Sequence, residues 1–312
     1  MYNISVKYKR LLFFIVKITI VVIAFYLMYT KLVSNQLLSF QQLNERLSKL
    51  FSAKIWVIIS VLLLTDINWF LEIFKWKTLV SVEKKITFLE AYQQSLASLT
   101  VSLITPNRIG EYGAKALFFE AGRRKKIMTL NLVGNLIQLA ITCLFGLYGF
   151  LFFMKNFKAE IPKIDLLKVG LIFLIFALIY FFRKQLNLNK ISVYLKNISK
   201  KIYLKAALYS FLRYLVFSHQ FYFLLKIMGI ETDYPTLISL IFCMYFMASV
   251  IPSLAIFDWV IKGSIAIWLF GFVGLNQLTV VTVTTVMWIL NFAIPSIIGS
   301  IFVLNFKTNN SL

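Results

Sequence analysis

The chain has 312 residues, 60% hydrophobic and 17% aromatic with only 14% charged, and its mean hydropathy is +0.81. So few polar groups cannot cover a soluble surface, so composition excludes a soluble enzyme or binding module and predicts an all-α polytopic membrane protein. The formal charge of +21 would suggest nucleic acid in a soluble protein, but the Lys and Arg cluster in short connectors, where positive-inside bias and anionic lipid headgroups account for them and no nucleic acid is expected.

Lys7, Lys9 and Arg10 precede the apolar run 11–29, which is longer than a signal-peptide core and lacks a small-x-small cleavage site, so it is expected to remain as a first helix. A bilayer core of about 30 Å takes about 20 apolar helical residues to cross. That ruler gives full spans at 11–30, 55–74, 128–153, 166–182, 206–228 and 278–304. Two further apolar regions, 88–121 and 236–275, are broken near the middle, by Pro106 and Gly110 and by Pro252 and Ser253.

Connector charge predicts how the broken regions sit. Lys75, Lys77, Lys84 and Lys85 precede the first and Arg123, Arg124, Lys125 and Lys126 follow it, so both ends belong in the cytoplasm and the segment re-enters as a helical hairpin. Glu231, Asp233 and the uncharged residues 274–277 flank the second, which suits the outside. Six crossings and two re-entrant hairpins put both termini and the basic connector from Arg183 to Lys205 in the cytoplasm. The external segment 31–54 opposes the rule with Lys31, Arg46, Lys49 and Lys54, and the amphipathic spacing of Phe40, Leu43, Leu47 and Leu50 lays it along the outer interface with its cations snorkelling.

A shift of 147 residues places Ser102 on Ser249, Ile109 on Ile256, Glu111 on Asp258, Tyr112 on Trp259 and Lys115 on Lys262, and it brings the predicted spans into the same order. The chain therefore reads as one membrane domain, 1–312, made of a first repeat at 1–154 and a second at 155–312. Three crossings per repeat, an odd number, invert the second relative to the first, a plan shared by secondary transporters that hold substrate near the midplane.

Irregular backbone at membrane depth is tolerated only where protein or a watery cavity satisfies its polar groups, so SLITPNRIGEYGAK, residues 102–115, is expected to line a cavity. Pro106 ends the first half-helix, Asn107 and Gly110 tolerate a left-handed turn, and Thr105 joins them as a candidate substrate-binding residue. The returning half-helix starts near Ile109 to Glu111, with amides suited to an anion such as phosphate. Arg108 adds a forked donor and Lys115 a point charge, and Glu111 either pairs with them or shuttles protons. The same three charges would also serve simply to hold the hairpin shut by neutralising one another. Asp258 and Lys262 take the equivalent places in the second hairpin.

Asp66, Glu72 and Arg213 lie in crossing helices, and the repeat offset sets Asp66 opposite Arg213 as an intramembrane pair, functional or a fixed bridge between the repeats. Cys143 and Cys243 read as packing residues and His219 as packed on its own helix. No metal-ligand cluster, phosphate-binding glycine loop or nucleophile elbow appears, so neither metal nor cofactor is expected.

Thr105, Pro106, Arg108, Gly110 and Glu111, after a short apolar helix and before a basic stretch, resemble the motif of the lysylphosphatidylglycerol synthase transmembrane-region family of flippase-like membrane proteins. Asn107 stands where that family commonly has glycine, and Pro252 to Asp258 lacks the glycines of its second motif. The soluble aminoacyl-transfer domain of full-length synthases has no counterpart in these residues, so the resemblance implies a non-enzymatic lipid translocase of the cytoplasmic membrane or a partner of lipid-modifying enzymes. Its expected partners are membrane lipids, anionic or of polyprenyl-phosphate type. The rival readings are a proton-coupled transporter of a polyprenyl-phosphate carrier, with Glu111 and Asp258 as coupling carboxylates, a membrane-embedded transferase acting on lipid-linked sugars, and a non-transporting scaffold.

Overall fold

The computed structural model describes residues 55–105, 108–157, 188–251 and 258–306, together with Ile15, Ile18, Thr19, Val22 and Tyr26. Those five positions are helical and exposed, within the expected span 11–30. The rest of that span, the span 166–182, the segment 31–54, Pro106, Asn107 and the turn 252–257 lie outside the described residues. No strand occurs among the described residues.

Helix α1 runs Ile55–Val80, 26 residues or about 39 Å. Because it extends beyond the expected span, Lys75 and Lys77 are helical rather than part of a connector, and Lys75 is only 3% exposed. Helix α2, Phe88–Ser102, opens on a capping box in which Glu90 N donates to Thr87 Oγ1 at 3.1 Å and Thr87 N donates to the Glu90 carboxylate at 2.6 Å. Helix α3, Ile109–Leu117, follows the turn, and a short 3-10 turn, Ala121–Arg123, leads into α4, Arg124–Asn156. Helices α5, Leu188–Lys196, and α6, Lys200–Ile227, precede α7, Tyr234–Val250, which Asp233 caps by accepting from Thr236 N at 3.0 Å. Helix α8, Asp258–Gly271, is followed by α9, Gln277–Trp288, a π turn at Ile289–Ala293 and α10, Ile294–Asn305.

Three of these units are long and apolar enough to cross a membrane: Ile55–Val80, Ala121–Asn156 and Gln277–Asn305. They coincide with three of the expected spans. The span 206–228 is also helical as far as Ile227, the end of α6, but Arg213, Ser218, His219 and Gln220 make it more polar. In the broken regions α2 and α3 have 15 and 9 residues and α7 and α8 have 17 and 14. None reaches the roughly 20 residues that a bilayer core requires.

Packing pairs α1 with α6, α4 with α7, and α10 with α2. Under the 147-residue offset α1 corresponds to α6, α2 to α7, and α4 to α9 and α10. The α4–α7 contact is therefore the counterpart of α10–α2, while α1–α6 is its own counterpart. Both cross-contacts are made close by glycine: a methyl on Gly149 would meet the Ser239 carbonyl, one on Gly146 the Phe246 ring, and one on Gly299 the Leu96 carbonyl. Phe145 stacks on Tyr214 and meets Phe242 at a tilt in the core, 5.0 Å from each ring. Cys143 and Cys243 are free thiols there, Cys243 fully buried. Leu136, Leu144, Leu147 and Leu151 lie within about 80° of one another around α4 and are exposed, a face suited to lipid tails.

Candidate functional site

Thr105 caps the returning half-helix: its Oγ1 accepts from Gly110 N at 2.9 Å and its hydroxyl donates to Ser102 O at 3.0 Å. Gly110 is helical, and its hydrogen is required because a Cβ would lie 2.9 Å from both the Thr105 side chain and the Val101 carbonyl. The left-handed residue is Arg108 itself, at φ 60°, ψ 27°. This corrects the expectation for Gly110, whose role is close approach rather than positive φ. A second correction concerns the first-turn amides: Gly110 N is bonded to Thr105 and Glu111 N to Arg108 O, so these two donors are already used within the turn.

Three charged groups converge from this platform. Glu111 sits between Arg108 Nη2 at 3.2 Å and Lys115 Nζ at 2.8 Å. Lys115 is 1% exposed, donates to Asn131 Oδ1 at 2.8 Å and lies 4.4 Å from the Trp76 ring centre. Asn135 Nδ2 donates to the Tyr112 hydroxyl at 3.1 Å, so Tyr112 and Lys115, one turn apart, stitch α3 to α4. The Arg108 guanidinium reaches across to the Phe292 ring of the π turn, 5.4 Å away.

Arg213 does not pair with Asp66. Its Nη1 lies 2.7 Å from Glu72 Oε2, and its Nε donates to Asn68 Oδ1 at 3.1 Å. The reason is helical register: Asn68 and Glu72 are one turn apart on the face toward α6, whereas Asp66 lies about 120° around α1 from Glu72 and is exposed. Lys75 Nζ contacts the same Glu72 oxygen at 2.7 Å. From Arg213 the bonds continue through Asn68 to Asn291 at 2.7 Å, from Asn291 to Gln220 at 2.9 Å, and from Gln220 to Thr65 at 2.7 Å. Asn291 stands in the π turn, and such turns recur at functional sites.

The second broken region contributes Lys262, 2.6 Å from Asp258 Oδ2 and 5.6 Å from the Tyr245 ring centre. A cavity of about 460 Å³ brings these groups together: Arg108, Glu111, Glu72, Arg213, Asp258 and Lys262 all line it. Thr105 and Gly110 lie instead beside a separate, mainly apolar groove with Tyr112 and Gly113. Lys115 supports Glu111 from behind the wall. His219 bonds to Leu215 O at 2.8 Å and to the Tyr234 hydroxyl at 2.9 Å, away from the cavity lining. Among the described residues no group of three or more His, Cys, Asp or Glu is placed to hold a metal ion.

Sequence reasoning missed Lys75, Asn68, Gln220 and Asn291 as parts of this network. The Glu72-x-x-Lys75 spacing inside an apolar helix was a legible signal, since charges at i and i+3 share a face. A charge count around the cavity follows. Asp66 and Glu90 do not line it, whereas Lys75 is bonded to Glu72, which does. Lys75, Arg108, Lys115, Arg213 and Lys262 then face Glu72, Glu111 and Asp258, an excess of two positive charges among the described residues.

No curated protein matches the chain. The family of the lysylphosphatidylglycerol synthase TM region matches residues 14–299, nearly the whole length, and the chain belongs to that family of integral membrane proteins.

Proposed function

We propose that this chain is a lipid translocase of the cytoplasmic membrane, moving the phosphate-bearing headgroup of an anionic or modified lipid through the central cavity while the tails stay in the bilayer. One observation carries the reading: a single cavity is lined by charged residues of both broken regions and of the paired helices α1 and α6. The reciprocal α4–α7 and α10–α2 contacts support two inverted repeats within one membrane domain, with α2–α3 and α7–α8 as re-entrant hairpins entering from opposite faces. Rocking of one repeat against the other would then expose the cavity to each side in turn. Arg108 fits the role of headgroup ligand, because holding a non-glycine residue at positive φ costs about 1–2 kcal/mol and such strain clusters at functional sites.

Reconstitution tests it. Liposomes carrying fluorescent phospholipids are treated with dithionite from outside, with the parent chain beside Arg108→Ala and Glu111→Gln. Loss of inner-leaflet protection by the parent alone is the expected result, and equal behaviour of all three refutes translocation of that lipid.

A second reading has its own support: Glu111 and Asp258 both line the cavity, as coupling carboxylates of a proton-coupled polyprenyl-phosphate transporter would. Transport that follows an imposed pH gradient in the parent and loses that dependence in Glu111→Gln distinguishes it.

A further inference from the structure

The cavity wall is asymmetric in what it leaves unbonded. Trp69 Nε1, Trp288 Nε1 and Arg108 Nε are buried N–H donors without an acceptor among the described residues, and all three residues line the cavity. Only one lining acceptor, Gln138 Oε1, is likewise unbonded among the described residues. Trp288 is 5% exposed, so water in bulk does not satisfy its indole. Buried donors normally find a partner, and three such residues around one cavity call for a ligand rich in acceptor oxygens.

Charge sharpens the chemistry. Glu72 is shared by Lys75 and Arg213, and Glu111 by Arg108 and Lys115, so each carboxylate neutralises one of its two cations. Lys262 and Asp258 balance each other. Two positive charges therefore remain over, and in both triads the cation nearer the cavity is an arginine that lines it, while the lysine lies outside the lining. Uncompensated charge in an apolar surrounding is costly, and a ligand of matching charge removes that cost. Arginine is also the side chain whose planar fork fits phosphate oxygens.

Resting on the translocase reading, we propose that the cavity selects a dianionic phosphate, a lipid phosphomonoester rather than a phosphodiester, gripped by Arg108 and Arg213 with Trp69 and Trp288 donating to its oxygens. A phosphomonoester in its doubly ionised form matches the two excess charges and offers three equivalent acceptor oxygens. A phosphodiester headgroup supplies one charge and two such oxygens, and leaves one arginine and at least one indole unmatched.

Native mass spectrometry of the full chain in neutral detergent tests this at mildly alkaline pH, with phosphatidic acid, phosphatidylglycerol, phosphatidylcholine and inorganic phosphate as separate probes. The expected result is retention of phosphatidic acid about tenfold above phosphatidylglycerol, the scale of one lost charge-assisted contact. Trp288→Phe keeps the ring and removes the donor, so it should fold like the parent and narrow the preference; Arg108→Ala should narrow it further. Binding of inorganic phosphate with no preference for phosphatidic acid leaves the dianion site standing and removes the lipid reading on which it was placed. Preference for phosphatidic acid in a protein that moves no lipid in liposomes likewise separates the site from translocation. Equal retention of the monoester and the diester, or a preference untouched by both variants, overturns the inference.

Discussion

Replacing Glu72 by Gln is expected to cost about 3–5 kcal/mol of stability, because it strands one buried cation, Lys75, and one partly buried one, Arg213. The Glu72 side chain is 10% exposed, and one of its oxygens lies 2.7 Å from both Lys75 Nζ, at 3% exposure, and Arg213 Nη1, at 18%. At an effective dielectric of about 20, each such contact is worth roughly 6 kcal/mol of gross attraction, most of it offset by desolvation. Removing the carboxylate keeps the desolvation of the cations and loses the attraction. The assay is reversible unfolding of the purified chain in mixed micelles by SDS titration, followed by tryptophan fluorescence. Asp66→Asn is the control, since Asp66 contacts neither Lys75 nor Arg213 and its loss leaves both cations paired to Glu72. The double variant Glu72→Gln, Arg213→Gln returns the triad to its original net charge and should recover part of the loss. A loss under about 1 kcal/mol for Glu72→Gln, or one matched by Asp66→Asn, would refute the assignment of the intramembrane pair.

The contacts between helices predict that Gly149→Leu destabilises by more than about 2 kcal/mol, since even a methyl overlaps the α7 backbone, whereas Gly113→Ala, with nothing within 4 Å, gains roughly 0.5–1 kcal/mol; the same titration reads both. Arg108→Gly should be more stable than Arg108→Ala by about 1 kcal/mol, because only glycine relieves the positive φ, and both should lose lipid movement; equal stabilities would remove the strain argument. The amide of Thr236 holds the Asp233 carboxyl below the usual aspartate range, and Asp233 lies outside the spans. A depressed folded-state value means that the cap's stabilisation is present above the unfolded aspartate range and is lost as pH falls through the folded value. Unfolding midpoints measured from neutral to acid pH should therefore fall less steeply in Asp233→Asn than in the parent.

Much of the architecture was legible because the bilayer simplifies the physics. Crossing a fixed apolar thickness takes a fixed number of residues, so 55–74, 128–153 and 278–304 could be marked by length and hydropathy alone, and Pro106 marked the break between α2 and α3. The motif residues Arg108, Glu111 and Lys115 were legible because charge in an apolar run demands a partner, and their i, i+3 and i+4 spacing supplied it.

What only the tertiary structure decided is which partner each charge takes. An offset in sequence sets residues at equivalent heights, yet it carries no information on rotation about the helix axis, and about 120° of rotation separates Asp66 from Glu72. Arg213 therefore bonds to Glu72 and Asn68 rather than to the residue at the matching offset. The excess of two positive charges around the cavity follows from the same fact, since it appears only once Arg213 and Lys75 are found on one carboxylate, Glu72. Composition and periodicity place a chain in the bilayer, but the chemistry of a cavity depends on helix phase and on contacts between residues more than a hundred positions apart, which local sequence pattern does not encode.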